Sequence, residues 1–133
     1  MIEIKKIAYD EMVAHAKSGV PNEVCGYLAG TEGVLTKVYR MTNVSTTPEV
    51  FFNFDPKEMF KVQKESRAEG LRLLNVYHSH PKGGNKPSVS DKEFLKDPSL
   101  NYIIISLEHA DPEVNGFWIK NGEAGPLEIK IID

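Results

Sequence analysis

The chain has 133 residues, the usual size of one domain, and we expect residues 1–133 to form a single domain with one substantial core. Its hydrophobic fraction of 41% and charged fraction of 26% are typical of a globular protein in water. The net charge of -3, with lysines scattered among acids, excludes the basic surface that nucleic-acid binding requires.

Cysteine content and hydropathy favour a reducing compartment and no membrane partner. Cys25 is the single cysteine, so no internal disulfide can form, and we interpret it as a small buried core residue. The N-terminus has no apolar segment of signal-peptide length, and the longest aliphatic run, residues 103–105, is far too short to span a bilayer. We therefore expect a cytoplasmic protein.

The first half of the chain predicts one helix followed by three strands. Apolar residues at helical spacing favour a helix over residues 8–18, on which we interpret His15 as a surface residue. Residues 24–29 and 34–39 are predicted strands on either side of a turn with two glycines, which indicates a hairpin. Residues 50–54 are predicted to form a short aromatic strand.

The second half begins with the clearest helix signals and then becomes rich in strands. Asp55 is a natural N-cap, Pro56 suits the first helical position, and Gly70 ends the helix. Residues 71–77 barely alternate in polarity, which indicates a strand buried on both faces. The whole order predicts an α/β (α+β) fold with a single mixed β-sheet flanked by helices. The remaining predicted elements are a short helix opened by Ser88 and strands over residues 102–107, 116–120 and 127–132.

Two histidines stand two residues apart where the buried strand gives way to a loop. In extended backbone, residues at this spacing point to the same side, so the imidazoles of His78 and His80 can bind one ion. Asp91 lies in the first turn of the next predicted helix, and the glycine-containing loop between them can fold that turn back onto the histidines. Two histidines and one carboxylate leave a fourth tetrahedral position for water, which is the mark of a catalytic zinc site.

Each of these residues also has an ordinary structural interpretation. A single histidine at a strand end is more often a surface or core residue than a ligand, and the helix dipole favours an acid such as Asp91 in a first turn. Ser88 can act as an N-cap whose hydroxyl accepts a backbone N–H. Glu23 precedes an apolar strand, where a carboxylate needs a partner or a wet cavity, but an exposed strand start serves equally well. Spacing alone leaves both interpretations open.

Taken together, these residues resemble the JAMM (MPN) metalloprotease family. The family pattern is a glutamate in an early strand, then His-x-His, seven residues, a serine, two residues and an aspartate. In this chain the pattern is Glu23, His78 and His80, Ser88 and Asp91, without gaps and with prolines after the second histidine and before the serine. The resemblance extends over essentially the whole chain and implies the JAMM/MPN (cytidine-deaminase-like) architecture in its compact, stand-alone prokaryotic form.

The resemblance implies a zinc-dependent peptidase or isopeptidase, similar to deubiquitinases, with one Zn²⁺ per chain. His78, His80 and Asp91 would be the metal ligands. Glu23 would activate the zinc-bound water as general base, and Ser88 would donate a hydrogen bond to the substrate carbonyl oxygen as it becomes an oxyanion. The substrate would be the amide bond after the C-terminal Gly-Gly of a ubiquitin-like protein, with a sulfur-carrier protein as the expected partner.

Several other functions compete with this interpretation, among them a zinc hydrolase of another amide. A zinc nucleobase deaminase has a related architecture, but its signature requires His-x-Glu and a Pro-Cys-x-x-Cys pair, and this chain has one cysteine. A non-catalytic module that binds ubiquitin-like proteins would need neither Glu23 nor an open metal position. A structural zinc site is disfavoured because three ligands without a thiolate make a poor closed site. The loops over residues 42–52 and 82–86 are the predicted specificity surfaces.

Overall fold

The computed structural model describes all 133 residues, which form an eight-stranded sheet and three helices. Strand order across the sheet is β7-β6-β5-β4-β2-β3-β1-β8. Three neighbouring pairs are parallel and four are antiparallel, so the predicted α/β (α+β) fold with a single mixed sheet is confirmed. No helix combines the length and apolar character needed to cross a membrane. The elements are β1 Ile2–Lys5, α1 Lys6–Ser18, β2 Cys25–Thr31, β3 Val34–Met41, α2 Pro56–Ala68, β4 Arg72–His80, α3 Val89–Phe94, β5 Asn101–Ser106, β6 Glu113–Lys120, β7 Glu123–Leu127 and β8 Ile129–Ile132.

Each face of the sheet carries one apolar core and one long helix. On the first face, α1 contributes a buried stripe of residues spaced four apart, Ala8, Met12 and Ala16. On the second face, α2 contributes Val62 to the other core. The predicted N-cap of α2 is confirmed, because the side chain of Asp55 accepts the N–H of Lys57 at 2.9 Å.

Strand β4 lies inside the sheet, between β2 and β5, and its carboxyl end positions the candidate site. Antiparallel pairing with β2 sets Cys25 opposite His78, so Glu23, two residues earlier, reaches the same end of the sheet. Parallel pairing with β5 sets His80 beside Ser106. The carboxyl ends of neighbouring parallel strands are where open α/β sheets place their sites. The last six residues of β4 are all buried, whereas its first three are exposed or half-buried, so the predicted burial of residues 71–77 holds only for the second half of that segment.

The structure corrects three local predictions and adds one strand, β1, that the sequence analysis did not predict. Residues 50–54 are not a strand, because their aromatic rings pack towards the site and only one isolated bridge forms, to the preceding loop. The segment 127–132 changes partner at Glu128, whose carbonyl accepts the N–H of Ile2, so it forms parts of two strands and brings the two sheet edges together. Strand β1 is too short, at 4 residues, to show a periodicity. His15 is half-buried, and its Nδ1 lies 2.6 Å from the hydroxyl of Tyr77.

Candidate metal centre and its groove

Three side-chain atoms from the end of β4 and the start of α3 converge. The Nε2 atoms of His78 and His80 lie 3.0 Å apart. Asp91 Oδ2 lies 3.2 Å from His78 Nε2 and 3.1 Å from His80 Nε2. All three residues are buried. The structure therefore brings together the three side chains that the sequence analysis named as metal ligands.

This triangle of atoms fits a metal ion better than it fits a hydrogen-bond network. His80 Nδ1 lies 2.8 Å from the carbonyl oxygen of Gly84, so this nitrogen carries the proton. In the neutral ring, Nε2 then directs a lone pair at Asp91 Oδ2, a contact that becomes favourable when a metal ion or a proton lies between the two atoms. Zinc bonds of about 2.0–2.1 Å give a tetrahedron with edges of about 3.3 Å. The observed separations of 3.0 to 3.2 Å are close to that length.

The loop after β4 holds the ring of His80 in place. Besides the bond to Gly84, the hydroxyl of Ser106 donates to the carbonyl oxygen of Gly83 at 2.9 Å. A side chain at Gly83 would meet the His80 ring within 3.1 to 3.3 Å, so glycine permits this close approach. Partners of this kind fix the tautomer of a ligating histidine and leave its Nε2 free to bind.

His78 is held by packing instead of hydrogen bonding. It is fully buried, and its ring stacks on Phe52 with a centroid distance of 4.5 Å. Its Nδ1 has no hydrogen-bond partner. Sequence analysis included Phe52 only as the last residue of a predicted specificity loop and did not identify its contact with His78, for which the neighbouring aromatic residues were the one available signal. The prediction of a strand over residues 50–54 gave no indication of this contact.

The charges of the cluster favour cation binding. Burial lowers the pKa of His78 and outweighs the opposing effect of Asp91. Burial also acts to lower the pKa of His80, but hydrogen bonds to Asp91 and Gly84 raise it overall. Burial acts to raise the pKa of Asp91, yet hydrogen bonds from the two histidines hold that pKa below its usual range. The result is an ionised carboxylate beside a neutral His78.

Ser88 and Asp91 form a capping box at the start of α3. Ser88 Oγ accepts the N–H of Asp91 at 3.0 Å, and Asp91 Oδ2 accepts the N–H of Ser88 at 2.8 Å. The structural interpretations of both residues are therefore correct. They are also compatible with roles at the site, since the same Asp91 oxygen faces both imidazoles.

Glu23 lies in a loop before β2, beside the cluster. It is 7% exposed, and its Oε1 has no hydrogen-bond partner. Burial raises the pKa of Glu23 to about 7, with His80 lowering it and Asp91 raising it to smaller degrees. The interpretation of Glu23 as an exposed strand start is wrong. A buried carboxylate of this kind beside a cluster of ligand-type residues is a candidate functional group.

An open groove of about 430 Å³ runs beside the cluster. Glu23 and Ser88 line it together with His80. Both predicted specificity loops also contribute, the first through Glu49 and Val50 and the second through lysines and glycines of residues 82–86. Of the five candidate residues, the groove therefore exposes Glu23, His80 and Ser88, whereas His78 and Asp91 lie behind its wall.

Comparisons with known proteins agree with this geometry. The desampylase of Haloferax volcanii is 33% identical over 105 residues, which cover 74% of this chain and 76% of that protein. The CysO-cysteine peptidase of Mycobacterium tuberculosis is 28% identical over 138 residues, which cover 100% of this chain and 92% of that protein. A protein from Desulfitobacterium hafniense with a known solution structure is 36% identical, has a TM-score of 0.89, and is matched over 100% of this chain and 94% of its own.

Fold and site together define a domain of the JAMM (MPN) class, as the sequence resemblance implied. A family model described as prokaryotic homologs of the JAB domain matches residues 5–120. The chain belongs to this family.

Proposed function

We propose that this protein is a zinc-dependent peptidase or isopeptidase that hydrolyses the amide bond after the C-terminal Gly-Gly of a ubiquitin-like sulfur-carrier protein. The observation that carries the proposal is the convergence of His78, His80 and Asp91 beside the buried carboxylate of Glu23. Family membership and relatives named as a desampylase and a CysO-cysteine peptidase support a hydrolytic enzyme with a conjugated carrier protein as substrate.

The three converging residues would hold one Zn²⁺ per chain. His78 and His80 would each contribute Nε2, and Asp91 would contribute Oδ2. Zinc held by three protein ligands lowers the pKa of a coordinated water from 15.7 to about 7, which supplies a nucleophile at neutral pH. The hydrogen bond from His80 Nδ1 to Gly84 and the capping box around Asp91 would keep two of these ligands oriented.

Glu23 would act as the general base. A pKa near 7 allows a carboxylate to accept a proton and to release it again at neutral pH. Glu23 would therefore take a proton from the attacking water and later transfer it to the leaving amine. Its position on the wall of the groove is the position that such a role requires.

Ser88 would stabilise the oxyanion. Its Oγ accepts the N–H of Asp91, so the hydroxyl proton is free to donate into the groove that Ser88 lines. A positioned donor of this kind stabilises the negative charge that develops on the substrate carbonyl oxygen. A tail that ends in glycines would suit the groove, because glycine lets a substrate backbone approach the wall closely.

The test is zinc analysis combined with cleavage of a fusion whose reporter follows the Gly-Gly of a sulfur-carrier protein. We expect about one zinc per chain and cleavage at the Gly-Gly junction. Glu23→Gln should retain its zinc and lose about 10²–10⁴-fold in rate, since it removes only the proton acceptor. Glu32→Gln is the matched control, because Glu32 is exposed in the turn between β2 and β3, away from the groove, and its rate should remain close to that of the wild type.

Several outcomes would contradict the proposal. Cleavage by Glu23→Gln at the wild-type rate would show that Glu23 is not the base. The metal assignment would be wrong if protein prepared with zinc bound none and His78→Ala changed neither stability nor activity. Tight binding of the carrier protein without cleavage would indicate a non-catalytic binding module.

A further inference from the structure

Asn43 connects the candidate base to the loop that borders the groove. Its Nδ2 donates to the carbonyl oxygens of Glu23 at 2.9 Å and Phe51 at 3.0 Å. Its Oδ1 accepts the N–H of Ser45 at 3.0 Å and the N–H of Asn53 at 3.2 Å. The two donors of the amide and both lone pairs of its oxygen are all used. One side chain therefore joins the segment before β2 to both ends of the loop between β3 and α2.

Four hydrogen bonds hold the backbone of Glu23 and of the next residue, Val24. Its own N–H donates to the carbonyl oxygen of Pro48 at 2.7 Å, and its carbonyl oxygen accepts from Asn43. The next N–H, that of Val24, donates to Ser79 Oγ at 2.8 Å, and the N–H of Ser79 donates back to Val24 at 3.0 Å. Ser79 lies between the two histidines of β4, so this pair of bonds sets Glu23 against the strand that carries them.

The carboxylate of Glu23 is held by fewer contacts than its backbone. Glu23 Oε1 is buried and has no hydrogen-bond partner. The position of the carboxylate therefore depends on the backbone from which it projects, and Asn43 provides the hydrogen bond that holds the carbonyl group of Glu23 in that backbone. A catalytic group held only through its main chain is sensitive to small displacements, because misplacement by 1 Å can cost about 100-fold in rate.

The other end of the loop contacts a candidate metal ligand. Phe52 lies between the two residues that Asn43 binds at positions 51 and 53, and its ring stacks on His78. The same amide thus fixes the segment that carries Glu23 and the segment that packs against His78. Asn43 itself does not line the groove, so it reaches the site only through other residues.

We propose that Asn43 is a positioning residue that sets the carboxylate of Glu23 relative to the cluster of His78, His80 and Asp91. This role rests on the proposed function, because it serves the same site. Asn43 acts through the main chain of Glu23 and does not touch the substrate.

Asn43→Asp tests this role with almost no change in shape. The variant keeps the two acceptor contacts to Ser45 and Asn53 and loses both donor contacts, to Glu23 and Phe51. We expect kcat on the fusion substrate to fall by about 10- to 100-fold, with a much smaller change in KM. Zinc content should stay at the wild-type value, because no metal ligand is altered.

Amide hydrogen exchange gives a readout that does not depend on activity. In Asn43→Asp, exchange at Glu23 and Val24 should become faster, since both N–H groups lie in the segment that the lost contact holds. Asn121→Asp is the matched control. It makes the same substitution at an exposed residue in the turn between β6 and β7 and leaves the contacts of Asn43 intact, so its kcat and its exchange at residues 23 and 24 should match the wild type.

The outcomes separate this proposal from the function on which it rests. Folded Asn43→Asp with wild-type kcat and wild-type exchange at residues 23 and 24 would overturn it, and so would a higher KM with unchanged kcat. Should Asn43→Asp fail to fold, Asn43→Ser replaces it and should show an intermediate loss, because one hydroxyl can serve one carbonyl. If the wild type cleaves no fusion, the proposed function fails, whereas unchanged exchange in the variant refutes the role of Asn43 alone.

Discussion

Ser88 and Asp91 each serve the fold and the candidate site with the same atoms. The Ser88 hydroxyl oxygen caps α3, and its proton remains free to donate into the groove. The Asp91 oxygen that closes the capping box also faces both imidazoles. At the scale of single residues, the cap of α3 therefore positions both the Asp91 carboxylate oxygen and the Ser88 hydroxyl donor.

Substitutions of Ser88 should separate its two tasks. Ser88→Ala should lower the free energy of unfolding by about 1 kcal/mol and lower kcat by about 10²–10³-fold. Glycine is a tolerable N-cap that costs only about a few tenths of a kcal/mol relative to serine, so Ser88→Gly should keep most of the stability and still lose the activity. Ser88→Thr retains both functions and is the control. Denaturant unfolding and steady-state kinetics measure the two effects, and an active Ser88→Gly would refute the donor role.

The sequence was sufficient to predict the site residues that form short motifs with a fixed spacing. The five predicted site residues do come together at the carboxyl end of β4, since His-x-His on a strand and a capped helix turn are local patterns. Phe52 and Asn43 could not be predicted in the same way. Their contacts to His78 and Glu23 join segments that are distant in the chain, and nothing in a loop sequence specifies such partners.

At the scale of elements, α1 is joined to β4 by a polar contact inside the first core. A hydrogen bond of 2.6 Å connects His15 Nδ1 with the hydroxyl of Tyr77. Burial and, to a smaller degree, the charge of Arg40 lower the pKa of His15 to about 4. The ring of Tyr77 lies over Gly26, where an added side chain would approach it to 2.5 Å. A neutral His15 is thus part of the contact between this helix and the central strand.

This contact should make the stability depend on pH. The folded-state pKa of His15, about 4, lies below the ordinary value of 6.5, so the unfolded chain binds the proton first. The free energy of unfolding should therefore decline as pH falls from 6.5 to about 4. His15→Gln cannot bind that proton and should show a shallower decline in denaturant titrations with EDTA present. His109→Gln is the control, because His109 is exposed, and its curve should parallel the wild type. A parallel curve for His15→Gln would refute the explanation.

Element boundaries were predictable where the sequence has a strong periodicity or a helix cap. The predictions failed where the choice of partner strand determines the boundary. The hairpin of β2 and β3, the α2 cap and the buried β4 all follow from local residues. The change of partner at Glu128 does not, because the same extended backbone suits either neighbour. Leu127 pairs with β6 and Ile129 pairs with β1, and this choice of partners depends on the arrangement of the complete sheet.

At the scale of the whole molecule, the candidate metal centre joins β4 to α3 through buried side chains. These two elements meet through His80 and Asp91, which lie on either side of a loop rich in glycine and lysine. A cation at this point would be bound by the folded chain in preference to the unfolded one. Metal affinity would then contribute directly to global stability.

Zinc should therefore raise the melting temperature, and a chelator should lower it. At a free zinc concentration of 100 times Kd, the expected gain is about 2.7 kcal/mol in the free energy of unfolding. His78→Ala should lose this response, because a ligand is missing, whereas Glu32→Gln should keep it. Differential scanning calorimetry with zinc and with EDTA measures the shift. Identical melting curves in the two conditions would argue against a metal centre at these residues.

The pairing of β2 with β4 has a consequence for the order in which the chain acquires its properties during folding. The contact between His80 and Asp91 joins residues 11 apart, whereas the contact between Val24 and Ser79, which brings in Glu23, joins residues 55 apart. Shorter loops close at a lower entropic cost and faster. We therefore expect that a nascent chain can bind a metal ion before Glu23 reaches the site, so that a partly folded molecule would hold metal before it could hydrolyse an amide bond.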